Sequence, residues 1–413
     1  MSVIFSHPTG NANVRAAANG LADAKLLTEF YTTLAVFPGG LLDRLGALSP
    51  LAELRRRQYS ANLRQYSNVW PWLEAGRLIA LRTGFHQLIK HEKGFFSIDA
   101  VYRNLDRRVS NSIQRAAQRG AKAVYAYEDG AADSFRRAKA LGLQCFYDLP
   151  IGYWRAARRL LAPEKDRWPE WVSSLDGFLD SETKLARKDD ELRLADRILV
   201  ASSFTAATLR DFPGALAPIE VIPYGFPTVD DNKPSIGFQA RRPLKLLFVG
   251  GLSQRKGIAD LFAVAAALGP RVELTIVGQK ATNNCPALDA ALARHRWIPS
   301  LPHADVLRLM QAHDVLVFPS LFEGFGLVIT EAMSQGTPVI TTDRTAGPDL
   351  IEHGYNGWII QAGSTPALQS AIEELLLHPE SVSRVGQAAR ETARRRPWSM
   401  YGKELAAVLN KCL

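Results

Sequence analysis

Short apolar runs bounded by turn residues recur along the chain, separated by longer stretches whose apolar positions fall at helical spacing. Residues 3–6, 123–127, 144–147, 197–201 and 219–222 read as strands of a first half; 244–249, 272–277, 314–319 and 338–341 read as strands of a second. The runs are near-continuous rather than alternating, as in strands buried on both faces of a parallel sheet. Strands alternating with helices predict an α/β fold with helices on both faces of each sheet. Residues 13–18 read as a short helix that Asn19-Gly20 ends. Leu78, Leu81, Phe85 and Leu88 recur at helical spacing and predict an amphipathic core helix. The polar segment 226–234 has the Pro, Asp and Asn content of a linker, and divides the chain near residue 226.

Length supports that division, because 413 residues exceed what one hydrophobic core usually serves. No basic leader precedes a long apolar run, and no run approaches the roughly 20 residues of a spanning helix. Cys145, Cys285 and Cys412 are scattered without metal spacing, so a reducing cytoplasm fits, with the protein soluble or resting on a membrane. Residues 1–160 hold 23 Lys/Arg against 12 Asp/Glu, a net +11, which leaves −2 for the remainder of the total +9. Arg55, Arg56, Arg57, Arg103, Arg107, Arg108, Arg115, Arg119, Arg136 and Arg137 supply most of the excess. A basic face attracts anionic lipid headgroups; a merely solvated surface is the equal alternative. Nucleic acid is disfavoured, since no recognition module accompanies the arginines. Trp70-Pro71-Trp72 and Phe95-Phe96 offer aromatics for lipid or sugar, with core packing the favoured role.

Two segments carry chemistry. In the first, Phe318-Pro319-Ser320-Leu321-Phe322-Glu323-Gly324-Phe325-Gly326-Leu327, a strand runs into a glycine turn and then a helix over 327–335 that bears Glu331. The glycines let backbone approach a ligand, and the helix start offers free N–H groups to an anion. Glu323 is placed to accept from sugar hydroxyls and Glu331 to clamp a ribose diol. In the second, Val249-Gly250-Gly251-Leu252-Ser253-Gln254-Arg255-Lys256-Gly257, a glycine turn delivers two adjacent cations suited to a diphosphate. It is neither a Walker A nor a dinucleotide fingerprint. No DxD, HExxH or HxH is present, so neither a metal nor another cofactor is expected.

The string PSxxEGFGLxxxEAMxxGxPVI, with its two glutamates eight residues apart, resembles the signature of retaining glycosyltransferases with the GT-B fold, most closely glycosyltransferase family 4. Ala195-Asp196-Arg197-Ile198-Leu199-Val200-Ala201-Ser202-Ser203-Phe204 with Val221-Ile222-Pro223-Tyr224-Gly225 resembles the element that closes the family's first domain. The resemblance covers residues 190–360 and is vaguer before them. It implies two Rossmann-like doubly wound domains facing across a cleft: an acceptor-binding domain 1–226, rejoined by a C-terminal helix within 398–413, and a nucleotide-sugar domain 227–397. It also implies transfer of a hexose from a nucleotide sugar, UDP-linked by preference or GDP-mannose, to a glycan or lipid-linked acceptor with retention of configuration. Arg255, Lys256 and Glu323 would be catalytic. Gly10, Gly251, Gly324, Phe325, Gly326, Leu327 and Glu331 would bind the donor. The family often carries an Arg where Gly251 stands, two glycines where Gly10-Asn11 stands, and a His near Tyr147-Asp148. Asp148 would bond an acceptor hydroxyl or cap a turn, and Tyr147 and Glu128 would lie on the acceptor side. An epimerase or phosphorylase of the same architecture and a non-catalytic nucleotide-sugar binder are the rival readings.

Overall fold

The structure is a computed structural model that describes residues 2–45, 57–176, 178–229 and 242–413. Arg55 and Arg56 of the basic cluster and residues 230–234 of the linker lie outside the described residues.

Two parallel sheets organise the chain. The first contains β1 (Ser2–Ser6), β2 (Leu27–Thr32), β3 (Ser67–Val69), β4 (Ala121–Tyr127), β5 (Gln144–Leu149), β6 (Arg197–Val200) and β7 (Ile219–Val221), in the order β3-β2-β1-β4-β5-β6-β7. The second contains β8 (Leu244–Val249), β9 (Val272–Val277), β10 (Arg296–Ile298), β11 (Val315–Phe318), β12 (Val339–Thr342) and β13 (Trp358–Ile360), in the order β10-β9-β8-β11-β12-β13. Each order reverses once, between β1 and β4 and between β8 and β11. Ligands of doubly wound sheets bind beyond the strand ends at such reversals. The loops after β1, β8 and β11 are those the sequence singled out.

The C-terminal helix Trp398–Cys412 packs on helix Ala12–Asp23 of the first sheet's layer. The expected end of the first helix at Asn19-Gly20 is therefore corrected: the helix continues through Gly20 to Asp23. Gly20 serves a close helix crossing, since a Cβ there would stand 2.2 Å from the Gly402 carbonyl oxygen. The crossing segment is fixed by Arg396, whose guanidinium pairs with Glu404 at 2.6 Å and donates to the Pro223 carbonyl at 2.5 Å.

A second correction concerns residues 78–88. Helix Trp72–Thr83 ends at Gly84, which has φ +75, and a separate turn His86–Ile89 follows. Leu81, Phe85 and Leu88 are exposed; the residues this helix buries are Glu74 and Ala80, with Gly76 packed on the Phe96 ring. Trp72 and Phe95 are exposed too, against the core role favoured for them, whereas Trp70 is half-buried under the Arg108 guanidinium. Among the described residues no helix is long and apolar enough to cross a membrane.

Candidate active site

β8 ends in Gly250-Gly251, and the chain turns through residues 254–256 to helix Ile258–Leu268. Gly257 makes that turn possible: its φ is +69, and a Cβ would lie 2.1 Å from the Pro319 carbonyl oxygen of the β11 loop. The close approach brings the two motifs together. Lys256 forms an ion pair with Glu323, and the Arg255 guanidinium stands 3.7 Å from the same carboxylate. Arg255 also donates to the Phe322 carbonyl at 2.9 Å. Burial, helped by the Arg255 charge, pushes the Lys256 ammonium down to about 7, with Asp176 opposing. The Glu323 carboxylate in contact with it pulls the other way.

The glycine turn ends at Gly326, whose φ of +85 admits the chain to helix Leu327–Ser334. The helix start thus opens beside the Glu323 carboxylate, with Leu327 as its first residue. Glu331 lies one turn further and accepts from His303 at 2.9 Å, a bond that raises the histidine's pKa. Arg15, on the helix after the β1 loop, is close enough to oppose that rise, so the first layer faces Glu331. Arg15 also donates to the Gly10 carbonyl. A Cβ on Gly10 would be 2.7 Å from the Tyr59 hydroxyl, whereas Gly251 faces open space.

Gly324 sits at the junction of the two sheets. Its carbonyl accepts from Ser202 at 2.5 Å and Thr205 at 2.9 Å, and a Cβ there would meet the Pro150 carbonyl oxygen at 2.0 Å. The Phe325 side chain is buried against Tyr224, with ring centroids 4.8 Å apart, so only its backbone can face a ligand.

The acceptor-side expectations need correction at two positions. Asp148 neither reaches the cleft nor caps a turn. Its carboxyl is buried under the Tyr125 hydroxyl at 2.5 Å, and burial raises its pKa to about 7. Tyr147 points to the opposite face of the sheet, where its hydroxyl lies 3.4 Å from Glu191. Both are interior because this parallel sheet is covered on both sides. Glu128 does lie at a strand end, 3.5 Å from Lys188, and burial lifts it to about 7 against the pull of that lysine.

Two residues had not been singled out. Asp176 reaches from the segment after β5 to accept from Ser253 Oγ and Arg255 Nε, both at 2.9 Å. Its segment is pinned to the second layer by a Trp171–Phe262 stack at 5.7 Å and a Gln254–Glu164 hydrogen bond of 2.9 Å. His303, paired with Glu331, is the second. Both lie in loops or at a helix start, and their contacts span 79 and 28 residues. Nothing local in sequence marks them. His91, Glu92 and Asp180 also come within 4.8 Å of one another, a group that could hold a metal. Its carboxylates are already engaged: Asp180 by Lys184 and Lys188, each at 3.0 Å, and Glu92 by Ser181.

Residues 230–392 match the family model described as glycosyl transferases group 1. Both motif segments, 249–257 and 318–331, lie within the matched stretch. It is 30% identical over 269 residues to a glycogen synthase of Mycobacterium tuberculosis, covering 61% of this chain and 60% of that protein. It is 29% identical over 183 residues to a phosphatidyl-myo-inositol mannosyltransferase of Mycobacterium leprae, covering 43% and 49%. The chain thus spans about half to three-fifths of the length of these curated relatives. Among solved structures it resembles a sucrose-phosphate synthase from Thermosynechococcus elongatus, with TM-score 0.66, 19% identity and coverage of 100% and 99%. It also resembles Anabaena HepE in complex with UDP-glucose, with TM-score 0.62, 17% identity and full coverage of both chains. The fold is GT-B, two Rossmann-like units.

Proposed function

We propose that the protein transfers a hexose from a nucleotide sugar to a hydroxyl of a glycan or lipid-linked acceptor, with retention of configuration and without a metal. The observation that carries this reading is the convergence of Arg255, Lys256, Glu323 and the start of helix Leu327–Ser334 at one sheet reversal. Two cations and a helix start supply the positive potential that a departing diphosphate requires. Glu323 orients the sugar hydroxyls, and Glu331 accepts from the ribose diol once His303 yields. The bond from the sugar C1 to the β-phosphate oxygen breaks, its electrons leaving with the nucleoside diphosphate. The acceptor oxygen bonds C1 on the same face, and its proton passes to the leaving phosphate oxygen.

The preference for a uridine nucleotide is supported by the UDP-glucose held by Anabaena HepE. We place the reaction in polysaccharide or glycolipid synthesis at the inner face of a membrane. A thermal-shift panel of UDP, GDP and ADP with their sugar conjugates tests the reading. At a hundredfold excess over Kd, a native-state ligand adds about 2.7 kcal/mol. A shift with one nucleotide that disappears in Glu331→Ala supports the assignment; no shift with any of them removes it.

A further inference from the structure

Exposed large apolar side chains are not spread evenly over this molecule. Among the described residues, half of them fall within residues 69–98, including Trp72 (67% exposed), Ile79 (62%), Phe85 (61%) and Phe95 (69%). Trp72 and Ile79 are seven residues apart on helix Trp72–Thr83 and so share a face. Residues 81–88 are exposed without interruption, through the Gly84 cap and the following turn. Single exposed apolar residues such as Leu377 are ordinary, whereas a contiguous group of this size marks a contact surface.

The charges within the same stretch have one sign. Lys90 and Lys93 are exposed, while both carboxylates are drawn inward. Glu74 is fully buried and holds Arg57 and Arg77; Glu92 is half-buried and bonded to Ser181. The outer arginines of helix Ile98–Gln118, by contrast, mostly face carboxylates: Arg103 with Asp99, Arg107 with Asp133, and Arg119 with Glu29.

We propose that the surface formed by Trp72, Ile79, Phe85, Lys90, Lys93 and Phe95 docks the protein on an anionic lipid bilayer. Aromatic and aliphatic side chains enter the headgroup–acyl boundary while the flanking cations meet acidic headgroups. The placement is coherent with the fold. The helix follows β3 at the carboxyl end of the first sheet, and His91-Glu92 at the far end touch Asp180 and Ser181. The docked face therefore borders the strand ends where Glu128 lies. Its value for catalysis rests on the transferase reading; vesicle binding does not.

Cosedimentation of the full chain with vesicles of phosphatidylglycerol and phosphatidylcholine tests this, with pure phosphatidylcholine vesicles as the neutral comparison. The expected result is binding to the anionic vesicles that weakens with salt. Trp72→Ser with Phe85→Ser should lower partitioning by roughly 30- to 100-fold, and Lys90→Glu with Lys93→Glu should abolish the preference for anionic lipid. Leu377→Ser, on an exposed site elsewhere, should change nothing. Nucleotide-induced thermal shifts in the same variants report folding and donor binding separately, so a failure of docking is distinguishable from a failure of the transferase reading. No binding by the unaltered protein would overturn the proposal. So would equal binding by the Trp72/Phe85 variant, or self-association through this face without vesicle binding.

Discussion

Lys256 should make donor affinity fall steeply with pH. Its ammonium is depressed to about 7 in the ligand-free protein by burial and by Arg255. A bound diphosphate places negative charge against it and restores the charged form, so binding takes up a proton. The apparent Kd then scales as 1 + 10^(pH − 7), about 2 at pH 7 and about 101 at pH 9, a loss of about fiftyfold. The ligand's terminal phosphate has its second ionisation near pH ~6 and contributes little to that slope. Titration calorimetry with UDP at pH 7, 8 and 9 measures the effect. Runs at pH 8 in two buffers of different ionisation enthalpy should report uptake of about 0.9 proton. Lys256→Met should bind more weakly and lose the slope. The linkage also fixes a stability trend for the free protein: the folded state binds fewer protons than the unfolded one between pH ~7 and ~10.5, so this group contributes stability that increases as pH rises through that window. A flat affinity from pH 7 to 9, or the same slope in Lys256→Met, would refute this reasoning.

Other outcomes follow from single contacts. Asp176→Asn keeps the acceptor for Ser253 and Arg255 but removes a negative charge from the diphosphate cradle; the pair is partly exposed, so UDP should bind about 2- to 10-fold tighter by calorimetry. Gly20→Ala forces a methyl into the Gly402 backbone and should cost about 1–3 kcal/mol in urea unfolding, with nucleotide affinity unchanged at temperatures where the fold persists. Asp148 has a folded pKa raised to about 7, so its unfavourable contribution to stability grows as pH rises from about 4 to 7. Asp148→Asn should remove that component of the pH dependence of unfolding and leave turnover within a few-fold. A large loss of turnover would return this carboxyl to the acceptor site.

Much of the architecture was legible because strands covered on both faces must be apolar throughout. β8 and β9 read as clean runs, with bounds that coincide with the observed strands. β2, with Thr28 and Glu29 among its apolar residues, and the three-residue strands β3, β10 and β13 gave no such signal. Gly20 was misread because a glycine that ends a helix and one that admits a second helix look alike in one dimension. Residues 78–88 carried a helical period that Gly84 interrupts, which turned an expected core face into an exposed one. At the site, the glycine turns and paired charges marked Arg255, Lys256 and Glu323 locally, and folding brought them together. Tyr147 and Asp148 misled because position at a strand end suggests access, while side-chain direction depends on what covers each face. Asp176 and His303 depend on long-range packing alone.

The most direct test of the proposed chemistry is release of nucleoside diphosphate from a labelled nucleotide sugar, UDP-glucose first and GDP-mannose second, measured with and without a membrane-lipid extract as acceptor. The expected result is slow background release, acceleration by the extract, and a fall of roughly 100-fold or more in Lys256→Ala, assayed below that variant's own melting temperature. Release that is equal in Lys256→Ala, or absent from the unaltered protein with both donors, would contradict the assignment of this cleft to glycosyl transfer.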